Sequence, residues 1–236
     1  MSGARTGRRT TFDEERGRYV IDIVSQVNAT HREIGDLPVA TGEGRSLLLR
    51  RGYDAPVEDV WNACTDPGRI GRWLAPIEGD LRLGGTYRLR NNAGGEILHC
   101  EEPRLLKVTW CLGEGMETEV EVRLAPDGEG GAILELEHAS PAEIVDELVR
   151  AYGPGGTVGI GCGWDLALLG LDLFLHDVEF DPATWGTRSE AREFATRSCH
   201  AWGAAIQAAW GTSDEDLAVA VAFGVHHYAP SEGDNG

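Results

Sequence analysis

Gly163–His176 reads GWDLALLGLDLFLH, a glycine entry followed by a run with almost no charge. At about 3.6 residues per turn, Trp164, Leu168, Leu171 and Leu175 stack on one face with Ala167 and Phe174 beside them. Leu166 and Leu173 fall on the opposite side. The polar stripe left over is narrow: Asp165, Asp172 and His176. A helix that is apolar on two faces must be covered on two faces. The spacing therefore predicts a central helix with a sheet against one side and a second layer against the other.

The sheet is legible upstream. Arg45–Tyr53, Thr86–Arg90, Glu96–Cys100, Leu105–Cys111, Met116–Leu124 and Ala132–Ala139 are short runs bounded by Gly, Pro, Asn or Asp. Val120, Val122 and Leu124 alternate with Glu119, Glu121 and Arg123; Leu134, Leu136 and His138 alternate with Glu135 and Glu137. Period two with one charged face predicts a sheet solvated outside and buried inside, and Asp127-Gly128 predicts a hairpin between the last two strands. Two short helices interrupt this order. The first opens at Ala55-Pro56 and turns Val57, Val60, Trp61 and Cys64 inward; the second carries Ile70, Trp73 and Leu74 and stops at Pro76. Antiparallel strands followed by helices place the chain in the α+β class.

Ala55-Pro56, Val60-Trp61, Thr65-Asp66-Pro67, Arg72-Trp73-Leu74 and Gly84-Gly85-Thr86-Tyr87 occur here in a characteristic order. They are followed by Glu102–Leu106, Thr109-Trp110, Leu136-Glu137-His138 and Gly163-Trp164 with its leucines. The set resembles the SRPBCC or START-like helix-grip superfamily, and within it the branch named after the activator of heat-shock protein 90 ATPase. The resemblance spans about residues 45–177. It implies a curved antiparallel sheet wrapped around one long C-terminal helix with a cavity between them. It does not imply one reaction, because the fold hosts many roles.

Three parts follow. Residues 1–44 form an extension: a basic tail, an amphipathic helix with Val20, Ile23, Val24 and Val27 at helical spacing, and a linker rich in Gly and Pro. Residues 45–178 form the helix-grip domain. Inside it Ser140-Pro141-Ala142-Glu143 reads as a capping box, opening a helix through about Ala151, and YGPGGTVGIGCG (residues 152–163) reads as a loop. Residues 179–236 add a helical hairpin packed on the same domain. Its first helix, Arg188–Trp210, buries Phe194, Trp202, Ile206 and Trp210. Its second is capped by Ser213 and aligns Leu217, Val221, Gly224, Val225 and Tyr228. The hairpin is expected to cover the outward side of the long helix; a homodimer interface is the alternative.

The 236-residue chain carries 39 acidic and 21 basic residues, a net charge of −18. That balance opposes nucleic-acid binding and docking on an anionic membrane. The N-terminus lacks the apolar core of a signal peptide, so a cytoplasmic protein is expected. Five widely spaced cysteines argue against a disulfide framework or a zinc site, and are read as buried free thiols. No nucleophile, metal-binding or dinucleotide motif is present, so no cofactor is expected.

The cavity wall is expected from inward strand residues and the inner helix face: Tyr87 and Leu89, Trp110, Val120 and Val122, Leu136 and His138, then Trp164, Leu168 and Leu171, with Trp73 beside them. Trp73, Tyr87, Trp110 and Trp164 offer stacking surface, or are plain core. His138 stands out as a titratable group on an apolar wall, able to orient a ligand or act as a base, or else a core histidine satisfied by the backbone. His99 and Glu96 read as surface residues. Asp165 and Asp172 lie about 10.5 Å apart along the axis, too far for a shared proton; a solvated stripe, or pairing with arginines of the hairpin, is expected. Three functional readings follow, in this order: a module binding a small hydrophobic molecule in a pocket of ~300–1,000 Å³, a cyclase, dehydratase or hydrolase with His138 as base, and a co-chaperone of heat-shock protein 90.

Overall fold

The computed structural model describes residues 10–13, 18–112, 117–178 and 182–230. In chain order, Thr10–Asp13 (β1) pairs with Arg18–Ile21 (β2) as a small separate ribbon. Ile23–Asn28 (α1), Thr30–Asp36 (β3) and Gly44–Tyr53 (β4) follow, then Val57–Thr65 (α2) and Pro67–Trp73 (α3). Ile77–Gly79 (β5), Thr86–Leu89 (β6), Gly94–Glu101 (β7), Leu105–Trp110 (β8), Thr118–Pro126 (β9) and Ala132–Pro141 (β10) continue the sheet. The remaining helices are Ala142–Tyr152 (α4), Gly155–Leu175 (α5), Pro182–Trp185 (α6), Ser189–Trp210 (α7) and Asp214–Tyr228 (α8).

β3 to β10 form one eight-stranded antiparallel sheet in the order β3-β4-β10-β9-β8-β7-β6-β5. Its inner face is the alternating apolar set, with Leu134 opposite Leu124 and Leu136 opposite Val122. Its outer face is charged: Arg123 reaches Glu121, Glu135 and Glu137. α5 lies against the inner face through Trp164, Leu168 and Leu171, all in the main core. This is the helix-grip arrangement that the motif order implied. The opposite face of α5 forms a second core, in which Leu169 and Leu173 meet Ile23 and Val27 of α1 and Phe194 of α7. The helix is thus covered on both sides. Among the described residues it is the one helix long and apolar enough to cross a membrane, and 67% of its most apolar window is buried, as befits a core helix.

Four sequence expectations change. The glycine-rich run after Pro154 is helix, not loop: α5 begins at Gly155 and runs for 21 residues. Packing overrides low intrinsic propensity there. A Cβ on Gly161 would stand 2.4 Å from the Trp202 ring, so glycine lets α7 lie directly on the α5 backbone. The expected N-terminal amphipathic helix shrinks to α1, with Val20 on β2. The expected linker contains β3, which pairs along β4 because that strand otherwise has an open edge. The capping box at Ser140 does not form: β10 runs through Pro141, and the N-cap of α4 makes no side-chain bond. The Ser213 cap does form, accepting from the Asp216 amide at 3.1 Å. Met116 and the tail through residue 9 lie outside the described residues.

The two carboxylates of the polar stripe are not solvated, whereas His176, just past the end of α5, is exposed. Asp165 is 0% and Asp172 1% exposed. Arginines do pair with them, but from the sheet side of the chain and not from the hairpin. Arg32 of β3 grips Asp165 with Nε at 2.7 Å and Nη2 at 3.0 Å, while α7 adds Ser198 and the Trp202 indole to the same carboxylate. Arg51 of β4 stands 3.4 Å from Asp172, and Gln26 of α1 donates to that carboxylate at 2.8 Å. A buried carboxylate without a cation is strongly unfavourable, and losing one partner of such a pair costs about 3–5 kcal/mol. Asp165→Asn is expected to lower unfolding stability by about that amount, with Arg32→Met in the same background recovering part of it. Urea denaturation measures both, and a loss below about 1 kcal/mol in Asp165→Asn would refute the assignment.

Candidate functional site

Alternation along the strands turns a set of apolar side chains toward α5, where they enclose a cavity of about 180 Å³. The sheet contributes Tyr87 and Leu89 from β6, Val108 and Trp110 from β8, Val120 and Val122 from β9, and Leu134 and Leu136 from β10; α5 contributes Trp164, Leu168 and Leu171. One end is closed by Cys64, Thr65, Ile70 and Trp73 of α2 and α3. The other margin carries Leu81, Arg82 and Leu83, in the loop between β5 and β6. That loop depends on its glycines: Gly84 has φ +74°, and a Cβ on Gly85 would meet the Asp80 carbonyl at 2.0 Å. Leu83 is 59% exposed, and Arg82 is held outward by Asp80 at 2.8 Å.

The rings around this space have their polar atoms tied off. Trp73 Nε1 donates to the Ala63 carbonyl at 2.9 Å, and the Tyr87 hydroxyl to the Thr109 carbonyl at 2.7 Å. Trp164 Nε1 donates to His138 Nδ1 at 2.9 Å. Burial pushes the Tyr87 hydroxyl above the ordinary tyrosine range and the Cys64 thiol up to about 12, so both stay protonated. Trp110 differs. It is half-buried, packs tilted against the Trp164 ring at 4.8 Å and the Tyr87 ring at 6.4 Å between centroids, and its Nε1 has no hydrogen-bond partner among the described residues. It is the one indole on the wall with a donor to spare.

The structure gathers ten of the eleven residues read from the sequence around this one cavity; the eleventh, His138, stands behind the wall. His138 is 5% exposed and uses both ring nitrogens. Because Nδ1 accepts from Trp164, Nε2 carries the proton and donates to Thr118 Oγ1 at 2.8 Å; Thr118 in turn donates to the Trp110 carbonyl at 2.6 Å. Burial without an anionic partner pushes the imidazole down to about 4, so it is neutral at physiological pH. The chain from Trp164 through His138 and Thr118 ends on the Trp110 backbone carbonyl, so it fixes the Trp164 ring and ties it to β8.

Glu96 and His99 are exposed on β7, and Asp165 and Asp172 face away from the cavity into their ion pairs. Of the cysteines expected to be buried, only Cys162 and Cys199 are; Cys100, at the end of β7, is exposed. The sequence reading missed the loop margin Leu81–Leu83. An apolar pair flanking one arginine between Asp80 and Gly84 was the available signal.

Comparison with known proteins gives a consistent picture. The family profile described as "Activator of Hsp90 ATPase homolog 1-like protein" matches residues 54–168. The crystal structure of CalU16 from Micromonospora echinospora is 39% identical, with a TM-score of 0.61, covering 75% of this chain and 98% of that one. Its solution structure is 37% identical at a TM-score of 0.63, over 76% and 96%. A crystal structure of an HSP90 activator from Plasmodium falciparum is 27% identical over 41% of this chain and 74% of that one, with a TM-score of 0.38. No curated protein matches.

The His138 environment has a measurable consequence. The unfolded chain takes up its proton near pH 6.5, whereas the folded imidazole resists protonation down to about pH 4. Its stabilising contribution is therefore complete above pH 6.5 and is lost as pH falls toward 4, by up to about 3 kcal/mol. Unfolding stability measured across pH 4–7 should fall more steeply in the wild type than in His138→Gln. Parallel profiles would show that His138 is not buried neutral.

Proposed function

The chain belongs to the activator of Hsp90 ATPase homolog 1-like family, and on that premise we propose that it binds a small, uncharged, apolar molecule between the sheet and α5. The observation that carries the reading is a wall of aromatic and aliphatic side chains whose polar atoms are internally satisfied, with the Trp110 indole as a single spare donor. Apolar walls with few convergent polar groups are the usual anatomy of ligand sites.

The volume sets the ligand's size. About 180 Å³ falls below the ~300–1,000 Å³ expected for drug-sized ligands and slightly above the roughly 150 Å³ engineered cavity that accepts benzene. A molecule of one or two fused rings, with one acceptor for Trp110, fits that measure. Catalysis by His138 is the weaker reading, since both its nitrogens are engaged and it stands off the cavity. The co-chaperone reading rests on the family name, and no side chain of the site speaks for it.

Calorimetric titration with naphthalene and 2-naphthol tests this. Both should bind, and Leu168→Trp, which fills the cavity, should abolish both. Trp110→Phe should weaken 2-naphthol by about 1 kcal/mol, the worth of one hydrogen bond, while leaving naphthalene unchanged. Absence of binding by either compound in the wild type would sink the proposal.

A further inference from the structure

Where α7 crosses α5, two thiols meet. The helices run antiparallel: Gly161 faces Trp202, and Asp165 accepts from both Ser198 and Trp202. Cys162 and Cys199 lie among these contacts. The Cys162 sulfur stands 3.7 Å from the Ala195 carbonyl, one turn before Cys199 on α7, and the two thiols hydrogen-bond to each other. Both are 0% exposed. α8 closes over them. A Cβ on Gly224 would stand 2.8 Å from Val158 Cγ1, one turn before Cys162, and 2.9 Å from Cys199 Sγ, so glycine there makes room for the sulfur.

A buried thiol by itself is a small apolar group. These two touch across separate helices, and they are not equivalent. The bond to Cys199, together with burial, pushes the Cys162 thiol well above the ordinary cysteine range, while the same bond holds the Cys199 thiol below it. Cys199 is thus the better nucleophile, with Cys162 placed behind it as the resolving group. The titratable groups around them are Asp165, which is paired with Arg32, and Tyr228, whose hydroxyl burial pushes up to about 12. Neither adds a positive charge, so the pair reacts slowly.

We infer that Cys162 and Cys199 are a redox pair, which hydrogen peroxide converts to a disulfide tying α5 to α7. The Cys199 thiolate attacks one peroxide oxygen; the O–O bond breaks, and the departing hydroxide takes up a proton as water. The Cys162 thiolate then attacks the sulfenic sulfur, the S–O bond breaks, and a second water leaves as the S–S bond forms. Two thiols and one peroxide give one disulfide and two waters, with two electrons passing from sulfur to oxygen. Peroxide reaches the pair when α8 lifts. That helix is the last described element, is joined to α7 through Gly211 at φ +63°, and meets Cys199 with a glycine. Neither cysteine lines the cavity, so the bond stiffens α5 from behind, and the inference stands apart from ligand binding.

To test it, the reduced full chain is held in about 1 mM hydrogen peroxide at neutral pH, then unfolded and alkylated with N-ethylmaleimide, and peptide mass spectrometry reads which thiols are gone. A linked peptide bearing Cys162 and Cys199, two hydrogens lighter than the reduced pair, should accumulate over hours, and dithiothreitol should reverse it. The oxidised protein should unfold at a urea midpoint higher by about 1 M, because the bond constrains the unfolded chain between residues 162 and 199. In Cys199→Ala, with a circular dichroism spectrum like that of the wild type, Cys162 should stay reduced under the same treatment. Cys162 and Cys199 both still alkylated after a day in peroxide overturn the inference. So does either sulfur linked instead to Cys64, Cys100 or Cys111, or oxidised singly to the sulfonic acid. A disulfide that lowers the urea midpoint overturns the claim that the native packing accommodates the bond.

Discussion

A carboxylate removed from water must keep a cation beside it, and Asp165 imposes that condition on three parts of the chain at once. It projects from the middle of α5 and is fully buried. Arg32 comes to it from β3, and Ser198 and Trp202 come from α7. Two turns further along, Asp172 repeats the demand and is met by Arg51 from β4 and Gln26 from α1. The extra strand and the extra helices are therefore not ornaments on a minimal fold. Without them Asp165 would lose its arginine and Asp172 its Gln26 donor. Buried pairs often add little net stability over apolar packing, so their use here is registration. Two carboxylates on one stripe, each with its own arginine, admit one rotation and one height of α5 against the sheet.

That registration is what makes the opposite face of α5 usable. With the helix fixed from behind, Trp164, Leu168 and Leu171 stand over the inner sheet at a set distance. The space between them does not collapse, because the large rings are braced at their edges. Tyr87 is tied to Thr109, Trp73 to Ala63, and Tyr53 to the Leu168 carbonyl. Trp164 is tied through His138 and Thr118 to the backbone of Trp110. A cavity costs free energy in proportion to its size, and rings held at both face and rim resist the rearrangement that would close it. His138 thus acts on the site through the Trp164 ring it positions, from behind the wall.

Much of this was legible in the residues alone. Strict alternation in β9 and β10 named the inward side chains, and the nearly uncharged helix announced that it needed cover on both faces. What the pattern hid was the partner of each polar group. Arg32 lies in a stretch that reads as a linker, because an inward-facing arginine spoils the alternation by which a strand is recognised. The glycines after Pro154 read as a loop, because their use lies in contacts distant in sequence: Gly161 admits the Trp202 ring, Gly155 lies against Phe223 and Gly163 against Tyr228. His138 was correctly placed on the inward face of β10. Its height along α5, which removes it from the cavity and sets it against Trp164, belongs to the packing of helix on sheet and has no local signature.

The central claim is a preformed apolar cavity between the sheet and α5, ready to receive a small ring compound. Xenon tests it most directly, since it enters dry apolar cavities and needs no polar contact. Crystals of the protein pressurised with xenon should show the atom among Trp110, Leu134 and Leu168, with the surrounding side chains unmoved. Side chains or ordered water filling that space, with no xenon bound, would contradict the account.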